Sequence, residues 1–142
     1  MDTKESRWGR LCILDDELLR GGIVLSEWCS LIIRDSDTAF VGGAHLACIL
    51  TAASGIETYL RSEYGASKDR LVDLINYSDI GQSLKKDIHK LRVYRNHWVH
   101  VGEPWDDEPP LRQLEKLEKE LETMAFFAVR TLRRTIYENQ WV

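Results

Sequence analysis

Apolar residues recur at steps of three and four along most of the chain, the spacing that lays side chains along one face of a helix. From about Trp8 to Arg34, Leu11, Leu14, Leu18, Leu25, Trp28 and Ile32 keep this spacing straight through Gly21-Gly22. Two adjacent glycines cost roughly 1 kcal/mol each relative to alanine in a helix interior. The segment therefore either bends there or divides into two shorter helices; a close helix crossing is the plainer use of the pair. Asp35-Ser36-Asp37-Thr38 reads as a polar turn whose short side chains cap a second helix, about Ala39 to Tyr64, with Leu46, Leu50, Ala53, Ile56 and Leu60 inward. Gly65-Ala66-Ser67 separates this from a short helix, about Lys68 to Tyr77, with Leu71, Leu74 and Ile75 inward. After a break at Ser78 to Gly81, a fourth helix spans Gln82 to Val101. The last helix, about Leu111 to Asn139, carries Leu114, Leu117, Leu121, Met124, Ala128, Leu132 and Ile136 on one side, with Pro110 suited to its first turn.

This pattern predicts an all-α, up-and-down bundle of about five helices: two long at the N-terminus, one short, a fourth, and a long C-terminal one. The short loop between the first two makes them antiparallel neighbours. At 142 residues the chain fits a single domain, residues 1–142, long enough to bury a core. A charged content of 30% and hydrophobic content of 44% match an ordinary globular protein. No run of about eighteen apolar residues is present, so no membrane span is expected. The segment Met1-Asp2-Thr3-Lys4-Glu5-Ser6 lacks the apolar core of a signal peptide, and the expected location is cytoplasmic. Cys12, Cys29 and Cys48 lie in helical apolar segments without CxxC spacing, which predicts buried free thiols and neither a disulfide nor a zinc framework.

The fourth helix changes the picture. Leu84, Ile88 and Leu91 form its inward stripe, and one further step lands on Arg95, with Trp98 and Val99 resuming the apolar face. An arginine in such a place needs a partner, because an unpaired buried charge costs several kcal/mol on an order-of-magnitude scale. Glu57, three residues before Leu60 on the second helix, fits that role; it also lies four before Arg61, a pairing that would leave it at the edge of its face. Beyond Arg95 stand Asn96, His97 and His100, and Gly102 with Pro104 marks a stop. A permanent cation, an amide and two imidazoles thus gather at one helix end.

Arg-Asn-x-x-x-His near the end of the penultimate helix of a small all-helical chain resembles the HEPN family of helical nucleotide- and RNA-binding domains. That family's signature is an arginine, four to six residues, then a histidine, often with a polar residue after the arginine. Arg95, Asn96 and His100 match it with four intervening residues, and the likeness in helix order covers nearly the whole chain. The resemblance implies a homodimer that cleaves RNA without a metal or other cofactor, with Arg95 and His100 catalytic and Asn96, His97 and Glu57 supporting them. It also implies service as a toxin or in anti-phage defence, with an antitoxin or neighbouring-gene protein as a partner. The alternative is a non-catalytic helical module that binds a nucleotide or a protein. HEPN toxins silenced by nucleotide addition carry a tyrosine two residues after the motif histidine; here that position is Gly102, which weakens the likeness to that subgroup.

Cleavage of this kind needs a base for the ribose 2′-hydroxyl, an acid for the departing 5′-oxygen and positive charge for the phosphorane. Histidine, with an unperturbed pKa of roughly 6.5, suits the proton transfers, and the guanidinium fork suits the phosphate. Five residues on an ideal helix turn through about 500°, which points His100 about 140° away from Arg95 and calls for a widened last turn or separate roles in a shared groove. Arg92 and Trp105 are candidate RNA contacts, Trp105 by stacking on a base; Trp98 at helical spacing suits the core or a dimer interface better. His45 and His89 read as structural. The net charge of −4 gives no general attraction to nucleic acid, so a local basic patch has to supply it. Asp106, Asp107 and Glu108 lack calcium-loop spacing and read as a solvated acidic loop that opposes RNA. Arg130, Arg133 and Arg134 suit the final helix's dipole, and a phosphate patch is their other use. The Glu/Lys run from Glu115 to Glu120 is a solvated face.

Overall fold

The computed structural model describes residues 2–65, 70–100 and 113–141. It is all-helical among the described residues, with six helices: α1 Lys4–Leu18, α2 Glu27–Gly42, α3 His45–Tyr64, α4 Leu71–Tyr77, α5 Gln82–Val99 and α6 Leu114–Ile136. α3 lies at the centre and packs chiefly against α2 and α6, while α1, α4 and α5 complete the bundle around them. No described helix is long and apolar enough to cross a membrane.

The expected first long helix is two helices. α1 starts at Thr3, whose hydroxyl accepts the Ser6 N–H at 3.0 Å, and ends at Leu18. Gly21-Gly22 interrupts the helical ladder, and the C-terminal segment satisfies the freed backbone. The Gln140 side-chain oxygen accepts from the Arg20 and Gly21 amides, and Gly22 exchanges two hydrogen bonds with Trp141, at 2.8 and 2.7 Å. α2 then begins at Ser26, which caps the Cys29 N–H. Trp28, expected inward, is 75% exposed, and Cys29 takes the buried position beside it. The break shifts the helical phase by about one residue.

The polar run Asp35-Ser36-Asp37-Thr38 is helical, within α2, and not the expected turn. Each polar group finds a helical use. Ser36 is buried beside the Cys48 thiol, Asp37 faces a cation, and the Thr38 hydroxyl donates back to the Arg34 carbonyl at 2.9 Å. The chain turns instead at Gly43, which adopts a left-handed conformation (φ 81°), with the Ala44 N–H bonding back to the Ala39 carbonyl. At the α2/α3/α6 crossing, a Cβ on Gly55 would stand 3.0 Å from an Ile32 methyl and 3.1 Å from a Leu132 methyl, so glycine permits the close approach.

The cation facing Asp37 is Arg133 of α6, only 3% exposed. Its Nη1 and Nη2 donate to the two Asp37 oxygens at 2.8 and 2.7 Å, and its Nε donates to Asp15 of α1 at 2.9 Å. The Tyr137 hydroxyl donates to the same Asp15 oxygen at 2.6 Å. Burial, and then the Asp15 carboxylate, push the Tyr137 phenol above its usual range. Arg134 pairs with Asp87 of α5. Arg133 is therefore neither a dipole cap nor part of a surface patch, because its donors are consumed inside the bundle. The thiols divide as well: Cys29 and Cys48 are buried, but Cys12 is exposed, contrary to the expectation that all three are buried. Burial pushes the Cys48 thiol up to about 12.

Two outcomes follow from this packing. Arg133→Met strands the Asp37 carboxylate and is expected to cost about 3–5 kcal/mol of stability, read as a fall in the urea midpoint; a midpoint unchanged within error would refute the buried clamp. A thiol reagent at pH 8 should label Cys12 in the folded protein and reach Cys29 and Cys48 only after denaturation, as mass spectrometry of the labelled peptides would show.

Candidate functional site

α5 positions the sequence motif. Leu84, Ile88 and Leu91 are buried, as their spacing predicts, and this orients the helix so that Arg95 comes toward α3. The Arg95 side chain is 20% exposed, and its Nη1 lies 3.7 Å from Glu57 Oε2. Glu57 Oε1 accepts from Arg61 Nη2 at 2.7 Å, so both sequence-level pairings of this carboxylate occur together. A partly exposed pair at 3.7 Å contributes about 0–1 kcal/mol. By that measure Arg95 matters far less to stability than Arg133 does.

Asn96 joins the motif together. Its side-chain oxygen accepts from Arg95 Nε at 3.2 Å and from Nη2 at 2.7 Å, and its backbone carbonyl accepts the His100 N–H at 2.9 Å. That last bond is an ordinary i to i−4 bond, so the final turn does not widen. The helix ends at Val99, and His100 leaves helical geometry at φ −125°, ψ 57°. His100 is an exposed C-cap, and among the described residues no hydrogen bond joins it to Arg95. His97 is exposed and stands edge-on to Trp98, with ring centroids 6.4 Å apart; Trp98 packs partly buried against the core. Trp105, Gly102, Pro104, Pro110 and the acidic run Asp106 to Glu108 lie outside the described residues.

One feature of α5 was not recognised from the sequence. The helix carries Lys85, Lys86, Lys90, Arg92 and Arg95 against a single acid, Asp87, in a chain of net charge −4. Lys85, His89 and Arg92 recur at steps of four and three, which places them on one face. Lys85 Nζ donates to the Asn76 carbonyl at 2.9 Å and His89 Nε2 lies 3.0 Å from Asn76 Oδ1, so this face looks toward the end of α4. The spacing was the available signal, masked because His89 read as structural and Arg92 as an isolated contact. Among the described residues no group of three or more His, Cys, Asp or Glu has metal-holding geometry.

Burial, then the Arg92 and Lys85 cations, hold the His89 imidazole below its ordinary range. The unfolded chain thus takes up this proton first. The stability contributed by the neutral ring is present above roughly pH 6.5, the unfolded value, and is lost as pH falls through the lower folded value. In an NMR titration His89 should show a midpoint below that of the denatured chain, and Arg92→Gln should raise it; a midpoint at or above the denatured value would contradict the row of cations. Compared with protein-family models, curated proteins and solved structures, the chain gives no match.

Proposed function

We propose that this chain is a HEPN-like endoribonuclease that acts as a homodimer in the cytoplasm, as a toxin or in anti-phage defence, and cleaves RNA without a metal. The observation that carries the reading is Asn96, which holds the Arg95 guanidinium with its side chain and the His100 backbone with its carbonyl. The guanidinium and the backbone that carries the imidazole are thereby held by one residue at an exposed helix end. The excess of positive charge on α5 supplies the local attraction that the acidic chain otherwise lacks.

In the proposed reaction, a His100 imidazole accepts the proton of the ribose 2′-hydroxyl as the 2′-oxygen attacks phosphorus. The bond from phosphorus to the 5′-oxygen breaks, and a protonated His100 of the second copy gives that oxygen its proton. The products are a 2′,3′-cyclic phosphate and a free 5′-hydroxyl. Arg95 offers its remaining donors to the non-bridging oxygens, where charge grows in the transition state. Glu57 and Asn96 orient the guanidinium, and His97, exposed on the helix beside it in sequence, is a supporting residue. Because His100 and Arg95 share no hydrogen bond within one chain, a two-fold assembly that brings His100 of one copy to Arg95 of the other is the natural completion.

The Glu57–Arg95 contact also favours a second reading, a non-catalytic helical module in which that pair is structural and the helix end binds a nucleotide or protein partner. The test separates the two. Purified protein should cut single-stranded RNA in EDTA, leaving cyclic phosphate ends, and Arg95→Ala or His100→Ala should each lower the rate at least about 100-fold with the thermal midpoint nearly unchanged. No cleavage by wild type, together with a marked loss of stability in Arg95→Ala, would replace the nuclease with the module.

A further inference from the structure

The face of α5 that carries Lys85, His89 and Arg92 has no use in the proposed cleavage chemistry, yet it runs straight into the motif. Arg92 lies one turn before Arg95 and four residues before Asn96, so its guanidinium and the motif share one side of the helix. Arg92 Nε is buried and makes no hydrogen bond among the described residues. Most other arginines of the described chain have a carboxylate: Arg133 has two, and Arg95, Arg61 and Arg134 have one each. A buried donor without a partner is costly. Among the described residues, the side chains of this row meet only the two Asn76 oxygens, which engage Lys85 and His89 and leave Arg92 untouched. Arg92 is only partly buried, so although its Nε is closed to solvent, its Nη donors can meet the oxygens of an anion presented from outside.

We infer that Arg92, flanked by His89 and Lys85, is a second phosphate subsite, which takes a backbone phosphate of the RNA strand adjacent to the one cleaved at Arg95. Lys85 and Arg92 contribute the charge, while the His89 ring, whose Nε2–H is taken by Asn76 Oδ1, lies between them. The enzyme would accordingly discriminate by strand length: an RNA with several phosphates engages both subsites, and a dinucleoside monophosphate engages one.

This inference rests on the nuclease reading, and one experiment tells their failures apart. Cleavage of a hexanucleotide and of a dinucleoside monophosphate is measured with wild type, Arg92→Gln and Arg92→Lys, alongside binding of the same hexanucleotide across a salt series. Arg92→Gln should raise KM for the hexanucleotide about tenfold more than for the dinucleoside, and should reduce the salt slope of hexanucleotide binding by about 0.7, the contribution of one single-strand phosphate. Arg92→Lys should recover part of both. Equal effects on the two substrates, or an unchanged salt slope with a lowered thermal midpoint, would overturn the subsite and leave Arg92 a structural residue. If wild type cuts neither substrate, the nuclease reading falls, and the binding series alone decides: a weaker, less salt-dependent complex in Arg92→Gln supports the phosphate site, and equal or absent binding removes it. Should Arg92→Gln fail to fold, Arg92→Lys and Lys85→Gln carry the same comparison.

Discussion

A guanidinium at the centre of three helices sets the architecture. Arg133 of α6 is almost wholly withdrawn from water, and its donors are met by Asp37 of α2 and Asp15 of α1. A fork of fixed geometry accepts carboxylates from only a few directions, so this contact fixes the angular setting of α1 and α2 against α6 in a way that apolar packing alone does not. It also explains two local features. The polar residues Ser36 and Asp37 remain helical because one is buried and the other is paired, and Tyr137 completes Asp15 from the C-cap of α6. The C-terminal segment closes the same region, with Gln140 and Trp141 satisfying the backbone between α1 and α2.

Arg133 and Arg95 both lean inward from their helices, and their surroundings separate them. Arg133 has its donors consumed by two carboxylates and a carbonyl, which makes it a part of the core. Arg95 shares one carboxylate with Arg61, at 3.7 Å, and leans on the neighbouring Asn96, with a fifth of its side chain open to solvent. A fully satisfied buried charge has little left to offer a ligand. A partly satisfied one at a helix end, held in orientation yet accessible, retains both its charge and some of its donors. That difference underlies the assignment of chemistry to α5 and of structure to α6.

Electrostatically the chain is divided. Its overall balance is acidic, but α5 concentrates positive charge on a helix whose one acid is already held by Arg134. Since exposed charges are screened beyond about 10 Å at 0.1 M salt, this local excess matters more to a polyanion at the helix end than the total does. The cations also act on His89, whose imidazole is held below its ordinary range by burial first and then by Arg92 and Lys85.

Helical class, most of the inward stripes of α3, α5 and α6, the position of the motif near a helix end and the pairing of Glu57 with Arg61 were legible in the sequence. Each rests on local periodicity, or on residues three and four apart, which an isolated helix already determines. Leu114 and Val99, expected inward, are exposed near helix ends, and the contact of Glu57 with Arg95, legible only as the alternative to Arg61, needs α3 and α5 packed together. The break at Gly21-Gly22 was legible as an alternative only, since the outcome depends on Gln140 and Trp141, more than a hundred residues away. Asp35 to Thr38 misled because short polar side chains favour a turn in isolation, and only the burial of Arg133 makes a helical Asp37 favourable. Trp28 misled because the phase of a helix is reset by the break before it. Sequence alone therefore determined the helical class and which residue types meet at the end of α5. Tertiary structure alone decided which charges are consumed in the core and which stay open, because that depends on what three helices bring within about 3 Å of one guanidinium.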